Sequence, residues 1–293
     1  MSVNAPGPPP RRSEGARTLG VVFPPAGRHY TLMQLDYIGG IAEAANEEGY
    51  AVLLTPGTTA GDAWFRGAVS GGRVDGLIVM EIRLHDDRVE YLTERRFPFA
   101  TIGRTRTPDR TRWVDLDYTA LAGNCVRHLL ELGHRRIAFV NRSQGLIDTG
   151  YESALRGLEG FSSAMADAGL EGRVYSCGDD VESGMACVDR LLADEPGTTG
   201  IVTMNEASLR GLYRGLVRAG RTVPRDFSVV AVAAGRWAEQ LTPQLTAAAV
   251  PAKDIARTAV SLLTERLDAP DSPPRHVLLE PLLSLRGSTA PVR

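Results

Sequence analysis

Apolar residues along this chain fall into two alternating patterns: short unbroken runs, and longer stretches with apolar positions three and four apart. The stretch GHRRIAFVNRSQGLIDTGYESALRGLEGF, Gly133 to Phe161, holds both. Leu129, Leu130 and Leu132 close a helix, and Gly133 supplies the left-handed residue such an end commonly needs. After Arg135 and Arg136, the run Ile137-Ala138-Phe139-Val140 reads as a strand buried on both faces. Asn141 to Gly150 is polar and contains glycine, and Tyr151 to Ala168 returns to helical spacing. In an open parallel sheet, ligands bind at loops leaving the carboxyl ends of strands, so this loop is a candidate site.

The same alternation runs through the rest. Leu19 to Phe23 predicts a strand, and 32–48 a helix with Leu35, Ile38, Ile41, Ala42 and Ala45 on its apolar face. Strands are predicted at 50–54, 74–80, 99–102 and 113–116, with helices at 63–70, 87–95 and 118–132, the last capped by Asp117. From 136–140 the rhythm restarts: helix 151–169, strand 173–176, helix 181–194, strand 200–204, helix 206–219 and strand 227–233. Two such series predict right-handed βαβ units, hence an α/β chain of two Rossmann-like lobes with parallel sheets. The tail differs: a strand at 245–250, a helix at 251–268, a Pro-rich turn, then extended chain at 276–285. That pattern predicts crossover strands, one unit completing the first lobe and the last segment returning to the second. The expected division is a disordered Pro-rich tail at 1–17, a first lobe of 18–141 plus about 250–273, and a second of 142–249 plus about 274–293.

Composition narrows the function classes. A net charge of −2 over 293 residues gives the folded body no global field towards nucleic acid or anionic lipid. Cys125, Cys177 and Cys187 are odd in number and lack CxxC spacing, so buried thiols in a reducing, cytoplasmic compartment are expected. Met1 to Gly15 has no apolar segment of the secretory kind, and no apolar run approaches a membrane span.

Motifs for catalysis are missing. The chain has no GxGxxG after its first strand, no GxxxxGK[ST], no GxSxG and no HExxH. His29, His85, His128, His134 and His276 are scattered without ligand spacing; His134 sits at a helix end that favours positive charge. The pairs Asp86-Asp87 and Asp179-Asp180 read as helix caps and surface charge. No enzyme, metal or cofactor is therefore expected. Polar and aromatic groups do cluster after successive strands: His29 and Tyr30, Glu81 and Arg83, Asn141 to Gln144, Asn205 and Glu206, Arg236 and Trp237. Such loops can clamp a small polar ligand.

An ordered set of segments then becomes recognisable. LGVVFP stands at the start, followed by RVDGLIVM at 73–80, RFPFATIGR at 96–104, WVDLDYTA at 113–120 and LLELGHRRIAFV at 129–140. LEGFSSAMADAGL at 158–170 and MNEASLRGLYRGLVRAGRTVPRDFSVVAVA at 204–233 come next, then LTPQLTAAAVPAKDIARTAV at 241–260 and LLEPLLSLRGST at 278–289. From about Thr18 to Thr289 the chain resembles the effector-binding core of the LacI/GalR family of bacterial transcriptional repressors. The resemblance implies a type I periplasmic-binding-protein-like fold that binds a sugar or related small molecule between its lobes. It also implies a cytoplasmic homodimer that controls transcription. Aligned positions nominate Tyr30, Tyr151, Asn205, Glu206 and Trp237 as effector contacts, with Arg156 and Arg236 as secondary candidates.

Departures qualify this. The family begins with a helix-turn-helix and hinge helix, whereas Met1 to Arg17 shows neither, so operator DNA is a partner only if such a head is supplied. The alternative is a headless small-molecule binding protein with no DNA-binding activity of its own. An effector-bonding aspartate common in the family is Ala233 here, its arginine before the Gly-Phe pair is Gly157 with Arg156 one place earlier, and its Asn-Asp is Asn205-Glu206.

Overall fold

The buried runs become strands and the amphipathic stretches helices in the computed structural model, which describes residues 17–23, 31–57, 59–233 and 235–292, the side chains of Pro56 and Arg236 excepted. The first elements are β1 (Thr18–Phe23), α1 (Leu32–Glu47), β2 (Ala51–Pro56), α2 (Ala63–Ser70), β3 (Gly76–Val79), α3 (Asp87–Glu94), β4 (Phe99–Ile102) and β5 (Trp113–Leu116). Then come α4 (Tyr118–Glu131), β6 (Ile137–Asn141), a short α5 (Gln144–Asp148), α6 (Glu152–Asp167), β7 (Arg173–Ser176) and α7 (Val181–Asp194). β8 (Gly200–Thr203), α8 (Leu209–Arg218), β9 (Ser228–Ala233), α9 (Gly235–Gln240) and β10 (Thr246–Ala249) lead to α10 (Ala252–Asp268), β11 (His276–Leu279) and β12 (Leu282–Ser284). The expected tail lies outside the described residues except for Arg17.

Two six-stranded sheets form, in the orders β11-β5-β4-β3-β1-β2 and β12-β10-β9-β8-β6-β7. All pairings are parallel except β10 with β12. The sheets divide the chain differently from the expected boundaries. β6 joins the second sheet, and α4 packs against α6 and β8, so the first crossing falls near Asp117 rather than at 141. β11 pairs with β5 in the first sheet, so 276–279 lie there and only β12 returns to the second. A short buried strand carries no mark of which sheet it will join; the helices packed over it decide. The chain thus crosses between lobes three times among the described residues: after β5, after β10 and after β11.

One apolar cluster runs from Leu19, Ile41 and Ile255 through Leu116 and Leu121 to Phe139, Phe161 and Val230, so the lobes share a continuous core at the hinge. Separate clusters cover the outer faces, Phe65 and Leu92 in the first lobe and Leu212 and Phe227 in the second. Gly133 has a φ of 88°, the left-handed end its position predicted. His134 departs from expectation. Burial pushes its pKa down, outweighing its bond to Ala290 and its place at a helix end. Its Nε2 lies 3.0 Å from the Ala290 carbonyl oxygen, which can only accept, so Nε2 carries the proton and Nδ1 accepts from the Thr199 hydroxyl at 2.9 Å.

Candidate functional site

The carboxyl ends of both sheets open onto one cleft. On the first-lobe side, Thr31 caps α1: its hydroxyl accepts from the Gln34 amide at 3.2 Å, while the Gln34 side chain accepts from the Thr31 amide at 2.9 Å. Gln34 Nε2 then donates to Glu81 Oε1 at 2.7 Å. Glu81 holds a φ of 51°, a left-handed conformation uncommon outside glycine and asparagine. Its carbonyl is fixed by Arg88 Nη2 at 2.9 Å, and Arg88 is clamped by Asp86 at 2.6 and 2.9 Å. Burial works against the Asp86 carboxylate, but the bonds and charge of Arg88 hold its pKa below the usual range. A buried ion pair under the strained residue therefore sets where the Glu81 side chain points.

The lobes are joined at the back of the cleft. Leu84 N donates to the Gly150 carbonyl at 2.9 Å and Glu152 N to the Ile82 carbonyl at 3.0 Å, placing Arg83 opposite Tyr151 as in an antiparallel bridge. Beside this zip lies a buried cluster of two carboxyls and two guanidiniums. Asp115, on β5, sits 3.2 Å from Arg104 Nε and in hydrogen-bond contact with Glu152 on α6. Glu152 in turn pairs with Arg156 one turn along its helix. Both carboxyls are 2% exposed. Burial and the neighbouring Glu152 raise the Asp115 pKa well above the carboxylate range, and burial also raises that of Glu152. Two acids in contact in a dry site share a proton rather than both ionising.

Above this floor a small cavity of about 70 Å³ is lined by residues including Tyr37, Glu81, Asp115, Arg142, Tyr151 and Glu152. A larger one of about 400 Å³ continues outward, lined by Thr31, Asp179, Glu206, Arg210 and Trp237 among others; Thr31 borders both. Arg142 forks onto Asp179 at 3.0 and 3.1 Å. Burial disfavours the Arg142 cation, but the paired Asp179 carboxylate keeps it charged. Burial pushes the Tyr151 hydroxyl up to about 12, so it is a neutral donor at physiological pH. Trp237 donates from Nε1 to the Glu206 carbonyl at 3.4 Å, and Arg210 lies over its ring at 4.6 Å. Glu206 Oε1 accepts from Met33 N at 3.3 Å, a contact between the lobes.

Among the nominated residues, Tyr151 lines the floor, and Glu206 and Trp237 line the outer cavity. Arg156 stands behind the floor, paired with Glu152. Asn205 is fully buried, its amide donating to the carbonyls of Cys177 and Gly178 at 2.9 and 3.1 Å. Tyr30 and the side chain of Arg236 lie outside the described residues. The pattern missed Asp115, Glu152, Asp179 and Arg210. Asp115 did leave a signal, an acid inside the apolar run 113–116. Asp179 reads in sequence as a helix cap, but Asp180 does the capping, accepting from Ser183 N at 2.6 Å.

The arrangement offers donors, acceptors and aromatic faces, Tyr151 at the floor and Trp237 further out, for a polar ligand. Among the described residues no group of three or more His, Cys, Asp and Glu is placed to hold a metal, and no helix is long and apolar enough to cross a membrane.

Residues 126–289 match the family described as periplasmic binding protein-like domain. A transcriptional regulator of Thermobifida fusca, CelR, is 27% identical over 255 residues, covering 85% of this chain and 74% of that protein. A LacI transcriptional regulator from a Rhodococcus species has a similar structure, with TM-score 0.80 and 28% identity, covering 94% of this chain and 99% of that one. A transcriptional regulator CelR–cellobiose complex is similar as well, with TM-score 0.82 and 25% identity over 92% of this chain and 84% of that one.

Proposed function

We infer the function from the family to which this chain belongs, the periplasmic binding protein-like domains in the form they take in LacI-type transcriptional regulators. The chain is the ligand-binding core of such a regulator. Its effector is a small polar molecule, a sugar or close relative, held between the lobes. The observation that carries this reading is the cleft itself: Thr31, Glu81 and Asp115 from the first lobe face Arg142, Tyr151, Asp179, Glu206 and Trp237 from the second. Tyr151, Glu206 and Trp237 make direct contacts, joined by Tyr30 and Arg236; Asn205 and Arg156 hold the walls in place. Trp237 supplies the apolar face on which a sugar ring stacks.

The regulator works as a cytoplasmic homodimer with no catalytic step. Exposed Leu53 and Leu54 on edge strand β2, Trp64 on α2 and Leu282 on β12 offer apolar surface to a second copy. Ligand and operator DNA bias one equilibrium between lobe arrangements, so each changes the affinity of the other by the same factor. DNA contact is made through a reading head attached to the core, and its affinity falls steeply with salt.

Calorimetric titration of the chain with cellobiose and a panel of neutral mono- and disaccharides tests the site. Trp237→Ala is expected to weaken the best ligand about tenfold or more, roughly 1.4 kcal/mol. Equal affinities for the wild type, Trp237→Ala and Tyr151→Phe would place the ligand elsewhere, and no binding across the panel would exclude sugars as the ligand class.

A further inference from the structure

The ligand loops leave the carboxyl ends of the first sheet; a second recess, of about 230 Å³, opens at its amino ends. Four arginines line it, Arg96, Arg110, Arg112 and Arg266, and no acid does. Arg96 follows α3, Arg110 and Arg112 stand on the approach to β5, and Arg266 lies in the last turn of α10. The carboxyl end of a helix favours a cation, which accounts for Arg96 and Arg266 but not for Arg110 and Arg112. Arg112 is 6% exposed, and its guanidinium is only partly engaged. Nη2 donates to the carbonyl and hydroxyl oxygens of Ser272 at 3.0 and 2.6 Å, while the buried Nε has no partner among the described residues. The other three arginines form no side-chain hydrogen bond or ion pair among the described residues, and Glu265, next to Arg266, is already taken by Arg275 at 2.7 Å. Burial, then the charge of Arg266, lowers the Arg112 pKa; Glu265 offsets part of this and Arg275 adds to it. A guanidinium stays charged at any physiological pH, so what this recess lacks is an anion.

We propose that this recess is a second ligand site, which binds the phosphate group of a small monoester or free inorganic phosphate. Guanidiniums present forked N–H pairs that match phosphate oxygens, and arginine is the side chain best suited to that recognition. A phosphate monoester carries about 1.5 to 2 negative charges at pH 7, so it compensates several guanidiniums at once. A carboxylate brings a single charge and leaves the remaining arginines facing one another. Phe97 and Phe99 line the same recess and give the carrier of the phosphate an apolar wall. With Arg112 buried in its wall, the recess suits a small anion better than the backbone of a nucleic-acid duplex. No residue lines both this recess and the cleft, so the site stands independently of the function inferred above.

Titration calorimetry of the purified chain, in phosphate-free buffer at low salt, tests this with inorganic phosphate, glycerol 3-phosphate and glycerol as probes. Both phosphate compounds should bind one to one and glycerol should not; the tighter of the two shows whether a monoester or the free ion is the ligand. Affinity for glycerol 3-phosphate should rise with pH as the phosphate gives up its second proton at about pH 6, and fall with added salt. Arg110→Gln and Arg266→Gln should each weaken binding about tenfold while urea unfolding shows both variants folded. Arg218→Gln, which removes an exposed charge on α8 of the second lobe, should leave it unchanged. Absence of binding by both phosphate compounds overturns the site, as do equal affinities in the wild type and the Arg110 and Arg266 variants. Binding of a duplex oligonucleotide that depends on these arginines, with neither small phosphate bound, overturns it in favour of a nucleic-acid face.

Discussion

Replacing Asp115 by asparagine isolates the shared proton at the lobe interface. The Arg104–Asp115 attraction at 3.2 Å has a gross value of about 5 kcal/mol at an effective dielectric of about 20. It would hold the carboxylate ionised if it acted alone. The raised pKa of Asp115 means that burial and the Glu152 charge together exceed it, so Asp115 carries the proton in the folded state. Between the unfolded value of 3.8 and the raised folded value, the native chain then binds a proton that the unfolded chain has released. Stability must therefore fall as pH rises through that window, by about 1.4 kcal/mol per pH unit. Asparagine keeps the donor towards Glu152 and cannot ionise, so the variant lacks this slope. Urea unfolding of both proteins at about pH 5, 6 and 7 should show the difference moving steadily in favour of Asp115→Asn, then levelling above the folded pKa. A difference that is constant with pH, or that moves the other way, would refute the proton assignment.

Other consequences are as direct. Gly160→Ala places a methyl against the Thr119 backbone carbonyl where α6 crosses α4, and should cost about 3 kcal/mol or more in denaturant unfolding. Arg88→Met strands the Asp86 carboxylate under the cleft, with an expected loss of about 3–5 kcal/mol and weaker sugar binding by calorimetry, through release of Glu81. His134 has a lowered folded pKa, so the unfolded chain binds more protons below the usual 6.5. The stability advantage of wild type over His134→Gln should thus shrink as pH falls from there through the folded value. Asn205→Ala removes the donor to two buried carbonyls and should cost about 1–3 kcal/mol in chemical unfolding.

Local interactions were legible in the sequence. The spans of α2, β4 and β5 match their predicted ranges, and those of α6 and α7 do so within two residues, because period, caps and Gly133 act over a few residues of chain. The ordered segments from LGVVFP to LLSLRGST carried the family. The cleft was legible in part, since Tyr151, Glu206 and Trp237 follow strand ends, where a parallel sheet puts its ligand loops. Tertiary structure decided the remainder. Only packing of α4 against α6 assigns β6 to the second lobe, and only the pairing of β11 with β5 returns 276–279 to the first. Only the meeting of the lobes brings Asp115 to Glu152. Charge sharing and desolvation depend on distance in space, and residues far apart in sequence carry no mark of the partner that folding will give them.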